Sequence, residues 1–160
     1  MKKILLTFAI LAVFLSTHIG VFASPETLPV DATGNSTGLV VVTKPKNQKE
    51  STFEESYTIS GYGKGGTTVT LYRYNAETNV YEKFYTESRV GDASDDAQVV
   101  RRASETTIGT SGLFMNTIVL NQGDNTVIVR AENGDMVQLM KLDIKKYNYT
   151  IIDLIKSLRD

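Results

Sequence analysis

Chemically reactive side chains are scarce in this 160-residue chain. It contains no cysteine and no tryptophan, and its one histidine is His18. Without cysteine there is no disulfide and no thiolate nucleophile, and His18 lies in a segment that is predicted below to be removed. Serine–histidine and cysteine–histidine nucleophilic sites are therefore excluded, as are zinc and the usual transition-metal ligand sets. We expect a protein that is not an enzyme and that carries no cofactor.

Residues 1–23 have the features of a secretory signal peptide. Lys2 and Lys3 give a basic start, residues 4–15 are almost wholly apolar, and Ala23 is the small residue that a signal peptidase prefers. The apolar run is shorter than the roughly 20 residues that a transmembrane helix needs. We predict cleavage before Ser24 and a secreted, extracellular or cell-surface protein with no membrane span after cleavage.

The charge balance gives no indication of a nucleic-acid partner. The formal net charge of −1 becomes more negative by two when Lys2 and Lys3 are removed, and no basic cluster remains. The rest of the chain fits one domain of ordinary size. Its first part, residues 24–38, holds two of the three prolines and several small polar residues. This composition predicts a flexible leader ahead of the folded domain.

Residues 111–131 are the stretch around which the rest of the chain is organised. Apolar residues alternate with polar ones on both sides of a polar turn at residues 121–124, which predicts two strands joined as a hairpin. A lone hairpin is marginal in water, so its apolar face requires a second sheet. The residues predicted to share that face are Phe114, Ile118, Leu120, Val127, Val129 and Ala131.

Alternation and β-branched runs predict further strands along the chain. The glycine-rich residues 61–66 match a dinucleotide-binding motif by letter, but a β-branched strand follows instead of a helix, so an inter-strand turn is favoured. In the last strand the apolar pattern changes phase, which predicts a bulge near Leu139 or Met140. About seven short strands predict an all-β antiparallel β-sandwich. Besides the hairpin they comprise residues 39–43, 57–61, 67–74, 81–85 and 136–145, with a shorter candidate at 98–103.

The carboxyl-terminal residues 147–160 change to a helical period. Thr150 and Asp153 have the spacing of a capping box, and the apolar residues behind them recur three or four positions apart. A short amphipathic α-helix is predicted here. Because so short a helix is marginal alone, it should dock on the same chain or on another chain. The candidate interface residues are Ile151, Leu154, Ile155 and Leu158.

The spacing of glycine and apolar residues in the organising stretch has a counterpart in a known family. The residues concerned are Gly112, Phe114, Ile118, Leu120, Gly123, Asn125, Val127 and Val129, together with residues 57–61 and 66–71. Their pattern resembles the bacterial immunoglobulin-like (Ig-like) domains of secreted and surface proteins, over residues 39–146. The resemblance implies an Ig-like β-sandwich and a role as spacer, adhesion module or polymer-binding accessory, with no shared catalytic residues. The long stretch of residues 87–111 and the predicted helix depart from that pattern.

Calcium is the one metal that the composition leaves open. Asp92, Asp95 and Asp96 supply hard oxygen ligands in a predicted loop, and extracellular modules bind calcium weakly. Their spacing does not match an EF-hand loop, and a solvated acidic loop is the favoured interpretation.

Tyrosines provide the second candidate site. Four of them fall on strands that are predicted to be neighbours, where an exposed row would stack on sugar rings or line a protein interface. The competing interpretation is a set of cross-strand aromatic pairs that stabilise a sheet. The four residues are Tyr72, Tyr74, Tyr81 and Tyr85.

Two functions follow from these patterns. The first is a secreted, non-catalytic module that binds or adheres to a cell-wall polymer or to another extracellular protein. The alternative is a structural subunit that assembles through its carboxyl-terminal helix or through an open sheet edge.

Overall fold

The computed structural model describes residues 24–90 and 98–148 and confirms the all-β prediction. Apolar residues at alternate positions place one face of each long strand in a core, as the period of two requires. The described residues form β1 (Thr27–Pro29), β2 (Val40–Lys44), β3 (Lys49–Thr52), β4 (Ser56–Gly63), β5 (Thr68–Asn75), β6 (Val80–Lys83), β7 (Tyr85–Val90), β8 (Gln98–Ala103), β9 (Glu105–Thr107), β10 (Leu113–Val119), β11 (Gly123–Asn133) and β12 (Met136–Lys146).

These strands form a larger sheet, a smaller sheet and a separate two-stranded ribbon. The larger sheet has the order β1-β6-β5-β11-β12-β3, and β9 also pairs with β5. The smaller sheet has the order β10-β4-β2, and β7 pairs with β8. Pairing is antiparallel throughout these sheets except between β12 and β3, which run parallel. The arrangement is consistent with a β-sandwich.

One core lies between the larger and smaller sheets. Leu71 and Val129 of the larger sheet are fully buried in it, as is Ile59 of the smaller sheet. Gln138 ties the two layers together at one end, since its side-chain oxygen accepts hydrogen bonds from the main-chain N–H groups of Leu39, at 2.7 Å, and Val40, at 3.1 Å. Gln138 also donates to the Val40 carbonyl at 3.1 Å, so a buried amide substitutes for a stretch of strand pairing.

The predicted hairpin at residues 111–131 is wrong, although both of its strands exist. β10 pairs with β4 in the smaller sheet, whereas β11 pairs with β5 and β12 in the larger one. The chain therefore crosses the core between them. Asn125 holds this corner, because its side chain accepts from the Asn121 N–H and donates to the Asn121 carbonyl, both at 2.8 Å. Inward-facing apolar side chains follow the same alternation in either arrangement, so the pattern cannot tell a hairpin from a crossing.

Residues 24–38, predicted to be a flexible leader, contribute a strand to the larger sheet. β1 pairs with β6, so that Leu28 lies opposite Tyr81, and Leu28 is buried. Asn35 also contacts the larger sheet, because the main-chain N–H of Val137 in β12 donates to the Asn35 side-chain oxygen at 2.7 Å. The prolines that suggested a leader lie beside or within an edge strand, where a missing N–H costs no ladder bond.

The bulge predicted near Leu139 and Met140 is also wrong. β11 and β12 stay in one register along their whole length, from Gly123 opposite Lys146 to Asn133 opposite Met136. Met140 packs on the inter-sheet core, whereas Leu139 packs on a second apolar cluster on the outer side of the larger sheet. Leu139 and Met140 are both apolar because both faces of β12 are packed at this point, so the change of phase needs no irregularity.

Only the second half of the glycine-rich stretch, residues 64–66, is a connection between strands as predicted, because residues 61–63 belong to β4. This connection also crosses between the sheets. β4 belongs to the smaller sheet and β5 to the larger one. Gly66 has a φ of +79°, which favours glycine at the turn. Gly61 lies within β4, where a Cβ atom would come within 2.1 Å of the Val41 carbonyl oxygen, so the two strands require glycine there.

Candidate binding surface

The four tyrosines do not form an exposed row. Tyr72 is fully buried and Tyr81 is nearly so, whereas Tyr74 and Tyr85 are partly buried. Tyr74 and Tyr81 are cross-strand partners with ring centroids 5.5 Å apart. Their arrangement matches the sheet-stabilising interpretation and leaves no platform of flat rings for sugar stacking.

The other sequence-predicted candidates lie outside the described residues. This holds for Asp92, Asp95 and Asp96 and for the helix residues Ile151, Leu154, Ile155 and Leu158. Within residues 24–90 and 98–148 no cluster of three or more acidic, histidine or cysteine side chains is placed to hold a metal ion. No helix in that part of the chain is long and apolar enough to cross a membrane.

Part of the outer face of the larger sheet, around Tyr72, is covered by residues 24–32, which include the edge strand β1 and are here called the N-terminal cover. Leu28 packs there with Tyr72, Tyr81 and Ile128 in a buried outer cluster. Tyr72 donates its hydroxyl hydrogen bond to the Pro25 carbonyl at 2.7 Å. Burial in this cluster raises the pKa of Tyr72, because the charged phenolate would lose its hydration.

Charged residues beneath the N-terminal cover are paired. The Lys83 ammonium donates to the Ser24 carbonyl at 2.6 Å and lies 3.4 Å from the Glu26 carboxylate. Arg130 forms an ion pair with Glu132 and donates to the Ser24 hydroxyl at 3.2 Å. Each buried charge thus has the partner that burial requires, and this face is structural in character.

The outer face of the smaller sheet has no such cover among the described residues. We call it the bare face. The outward residues of β4 and β10 are all uncharged, namely Ser56, Thr58, Ser60, Tyr62, Leu113, Met115, Thr117 and Val119. Large apolar side chains dominate one end, where Tyr62 is the cross-strand partner of both Val41 and Leu113. Val41, Tyr62, Leu113, Met115 and Val119 are each between 44% and 68% exposed.

A groove runs along the free edge of β10. Gly63 N–H donates to the Gly112 carbonyl and Leu120 N–H donates to the Glu55 carbonyl, so the bonds of β10 to β4 fall on its even-numbered residues. The main-chain groups of Met115 and Thr117 therefore point away from β4, into a groove of about 670 Å³. Its other sides include Phe84, Tyr85, Glu87, Ser104 and Glu105.

Arg73 lies at the Val119 end of this groove. Its guanidinium is 4.6 Å from the centre of the Phe84 ring and donates to the Val119 carbonyl. Among the described residues no carboxylate forms an ion pair with Arg73, and its buried Nε has no acceptor. Burial lowers the pKa of Arg73 by removing hydration from the cation.

The sequence did contain a signal for the bare face and the groove. β10 reads LFMNTIV, with large apolar residues on both of its faces. Sequence reasoning used only the face that holds Phe114 and Ile118. A strand with one face in a core has no structural need for Leu113, Met115 and Val119 on the other.

Comparison of the chain with protein-family models, with curated proteins and with solved structures finds no match.

Proposed function

We propose that this protein is an exported, non-catalytic binding module that contacts an extracellular protein through the bare face. The observation that carries the proposal is the combination of exposed Tyr62, Leu113 and Met115 with the absence of charge along β4 and β10. Contiguous exposed apolar surface without charges is typical of the centre of a protein interface, where tyrosine and methionine are enriched. The signal peptide prediction at residues 1–23 supports export.

A protein partner is favoured over a cell-wall polymer. Flat aromatic rings are the usual contact for sugars, and the chain has no tryptophan. Tyr72 and Tyr81, two of the four candidate rings, are buried. The Ig-like assignment of the sandwich is part of the same proposal, and the alternation in β4, β5, β10 and β11 supports it.

Assembly with other copies of the chain is the second candidate. It is supported by the open edge of β10, because an unpaired strand edge is a template for another chain. A mass measurement in solution separates the two functions: a monomer at working concentration favours binding, and a stable oligomer favours assembly.

The test of the proposal is Tyr62→Glu, which places a charge among the large apolar side chains of the bare face. The probe is the protein fraction extracted from the cell envelope of the producing organism, and the measurement is saturable, protease-sensitive binding of the purified chain. We expect Tyr62→Glu to weaken this binding at least tenfold, because a buried unpaired charge is costly. Tyr147→Glu, at an exposed tyrosine directly after β12, is the matched control. Equal binding by both variants would contradict the proposal, as would binding to protein-free wall polymer alone.

A further inference from the structure

The edges of the two sheets differ in how they are protected. Natural edge strands carry charges, prolines or bulges, or are very short, and each device discourages pairing with another chain. β1 has three residues and ends in Pro29, β3 carries Lys49 and Glu50, and β2 has a register shift before Lys44. β10 is seven residues long, regular, and free of charge, proline and glycine. It is the one of these four edges without a protective device.

The groove beside β10 has a floor, and the floor limits what can enter. The larger sheet continues past β10 on this side, because β6, β9 and Phe84 lie next to β5. A second copy that paired edge to edge through its own β10 would bring its larger sheet towards the strands that line this groove. A single extended strand needs less room there than the edge of a second sandwich, and is therefore the favoured occupant.

The chemistry of the groove selects a polypeptide main chain. The N–H and C=O groups of Met115 and Thr117 alternate at strand spacing, which another extended backbone matches. Asn116 and Ile118 point into the core between these residues, so β10 is held straight. At the Val119 end, Arg73 offers a cation without a carboxylate partner among the described residues.

We propose that an extended segment of the partner protein adds to β10 as a fourth, antiparallel strand of the smaller sheet, with an acidic side chain of that segment against Arg73. This inference deepens the proposed function and rests on it for the identity of the partner as a protein. The added strand also widens the bare face, so that edge and face form one continuous contact surface. The acidic residue must lie at the Val119 end, where Arg73 is, and the antiparallel direction is the one in which the other strands of the smaller sheet pair.

The probe is a short acetylated peptide amide, Asp-Val-Thr-Val-Thr-Val-Thr, whose amino-terminal Asp meets Arg73 in an antiparallel arrangement. Calorimetry with the full chain should show binding, and replacing Asp by Asn in the peptide should weaken it about tenfold, as expected for a charge-assisted bond. In the variant Arg73→Met the two peptides should bind equally. A peptide that carries N-methyl groups on the alternate residues whose N–H groups face β10 cannot donate hydrogen bonds to β10. This peptide should not bind.

Thr117→Pro tests the edge itself. It removes an N–H that points away from β4, so the ladder to β4 is kept while the groove loses a donor. We expect at least a tenfold loss of peptide binding, whereas Thr117→Val should bind as the unaltered chain does. Binding that survives N-methylation or Thr117→Pro would overturn the inference.

Amide hydrogen exchange shows whether the groove is already occupied in the absence of peptide. In the isolated chain the Met115 and Thr117 amides should exchange fast, and the peptide should protect them. Protection without peptide would overturn the inference by showing that this chain, or a second copy, already fills the groove. The proposed function is separable from these results: if peptides fail but Tyr62→Glu still weakens binding of the envelope protein, the bare face stands without strand addition.

Discussion

The outer faces of the two sheets are built from similar alternating strands but differ in how far their apolar side chains are exposed. On the larger sheet, Tyr72 is buried against Leu28 of the N-terminal cover, and Lys83 is paired. On the smaller sheet, Tyr62 and Leu113 are exposed beside uncharged neighbours. Among the described residues, the N-terminal cover packs on the outer face of the larger sheet, and no segment packs on the bare face of the smaller sheet. A covered face contributes to stability, and a bare apolar face is available to a partner.

The largest expected contrast is between two tyrosines. Tyr72→Ala removes a fully buried ring and should lower the free energy of unfolding by about 3–5 kcal/mol, as for other buried aromatic truncations. Tyr62→Ala removes a half-exposed ring from the bare face and should cost less than about 1 kcal/mol. Denaturant unfolding of the two variants measures both values. Similar losses of unfolding free energy in Tyr72→Ala and Tyr62→Ala would contradict the contrast between the covered face and the bare face.

The next contrast concerns lysines of the larger sheet. Lys83→Met leaves the Ser24 carbonyl without its donor and should cost about 1–3 kcal/mol. Lys141→Met, at an exposed position of β12, should change the free energy of unfolding by no more than about 0.5 kcal/mol. If Lys83→Met is as neutral as Lys141→Met, the N-terminal cover is not held by this bond.

Alkaline titration gives a smaller effect. Because burial raises the pKa of Tyr72 above its usual value of 10.0, the folded state keeps the proton that the unfolded state loses. The stability due to Tyr72 is therefore complete below pH 10 and declines as the pH rises through the folded-state pKa, by up to about 1.4 kcal/mol per pH unit. Tyr72→Phe should reduce the slope of unfolding free energy against pH above 10. Tyr62→Phe is the control, and an equal reduction in both would contradict the assignment.

The smallest effect on stability is expected on the bare face. Leu113→Thr keeps a strand-forming residue and should shift the free energy of unfolding by no more than about 0.5 kcal/mol. Thermal unfolding in the absence of partner measures it. A loss of more than about 2 kcal/mol would mean that this face is packed against something in the isolated chain.

The strands and the core could be predicted from sequence because burial imposes a period of two. Phe114, Ile118, Val127 and Val129 all lie in the inter-sheet core, as the alternation indicated. The pairing of β10 with β11 was mispredicted because the corner at residues 120–123 suits a hairpin and a crossing equally well. Which sheet each strand joins depends on contacts distant in sequence, such as the register of β10 with β4.

The surface was harder to predict than the core. Tyr72 and Tyr62 both alternate with core residues on their strands, and only the three-dimensional position of residues 24–32 decides which ring is covered. Arg73 follows Val69 and Leu71 at alternate positions of β5, so the period of two places it at the end of their row. Its place in a groove depends on β10 ending the smaller sheet there, which no local pattern reveals.

Hydroxyl-radical footprinting of the full chain, read by mass spectrometry, tests the contrast between the two faces most directly. We predict fast modification of Tyr62, Leu113 and Met115 and strong protection of Leu28, Tyr72 and Tyr81. Unfolded chain supplies the reference rates. Protection of Tyr62 and Met115 in the folded monomer, at the level of Tyr72, would contradict the existence of a bare face.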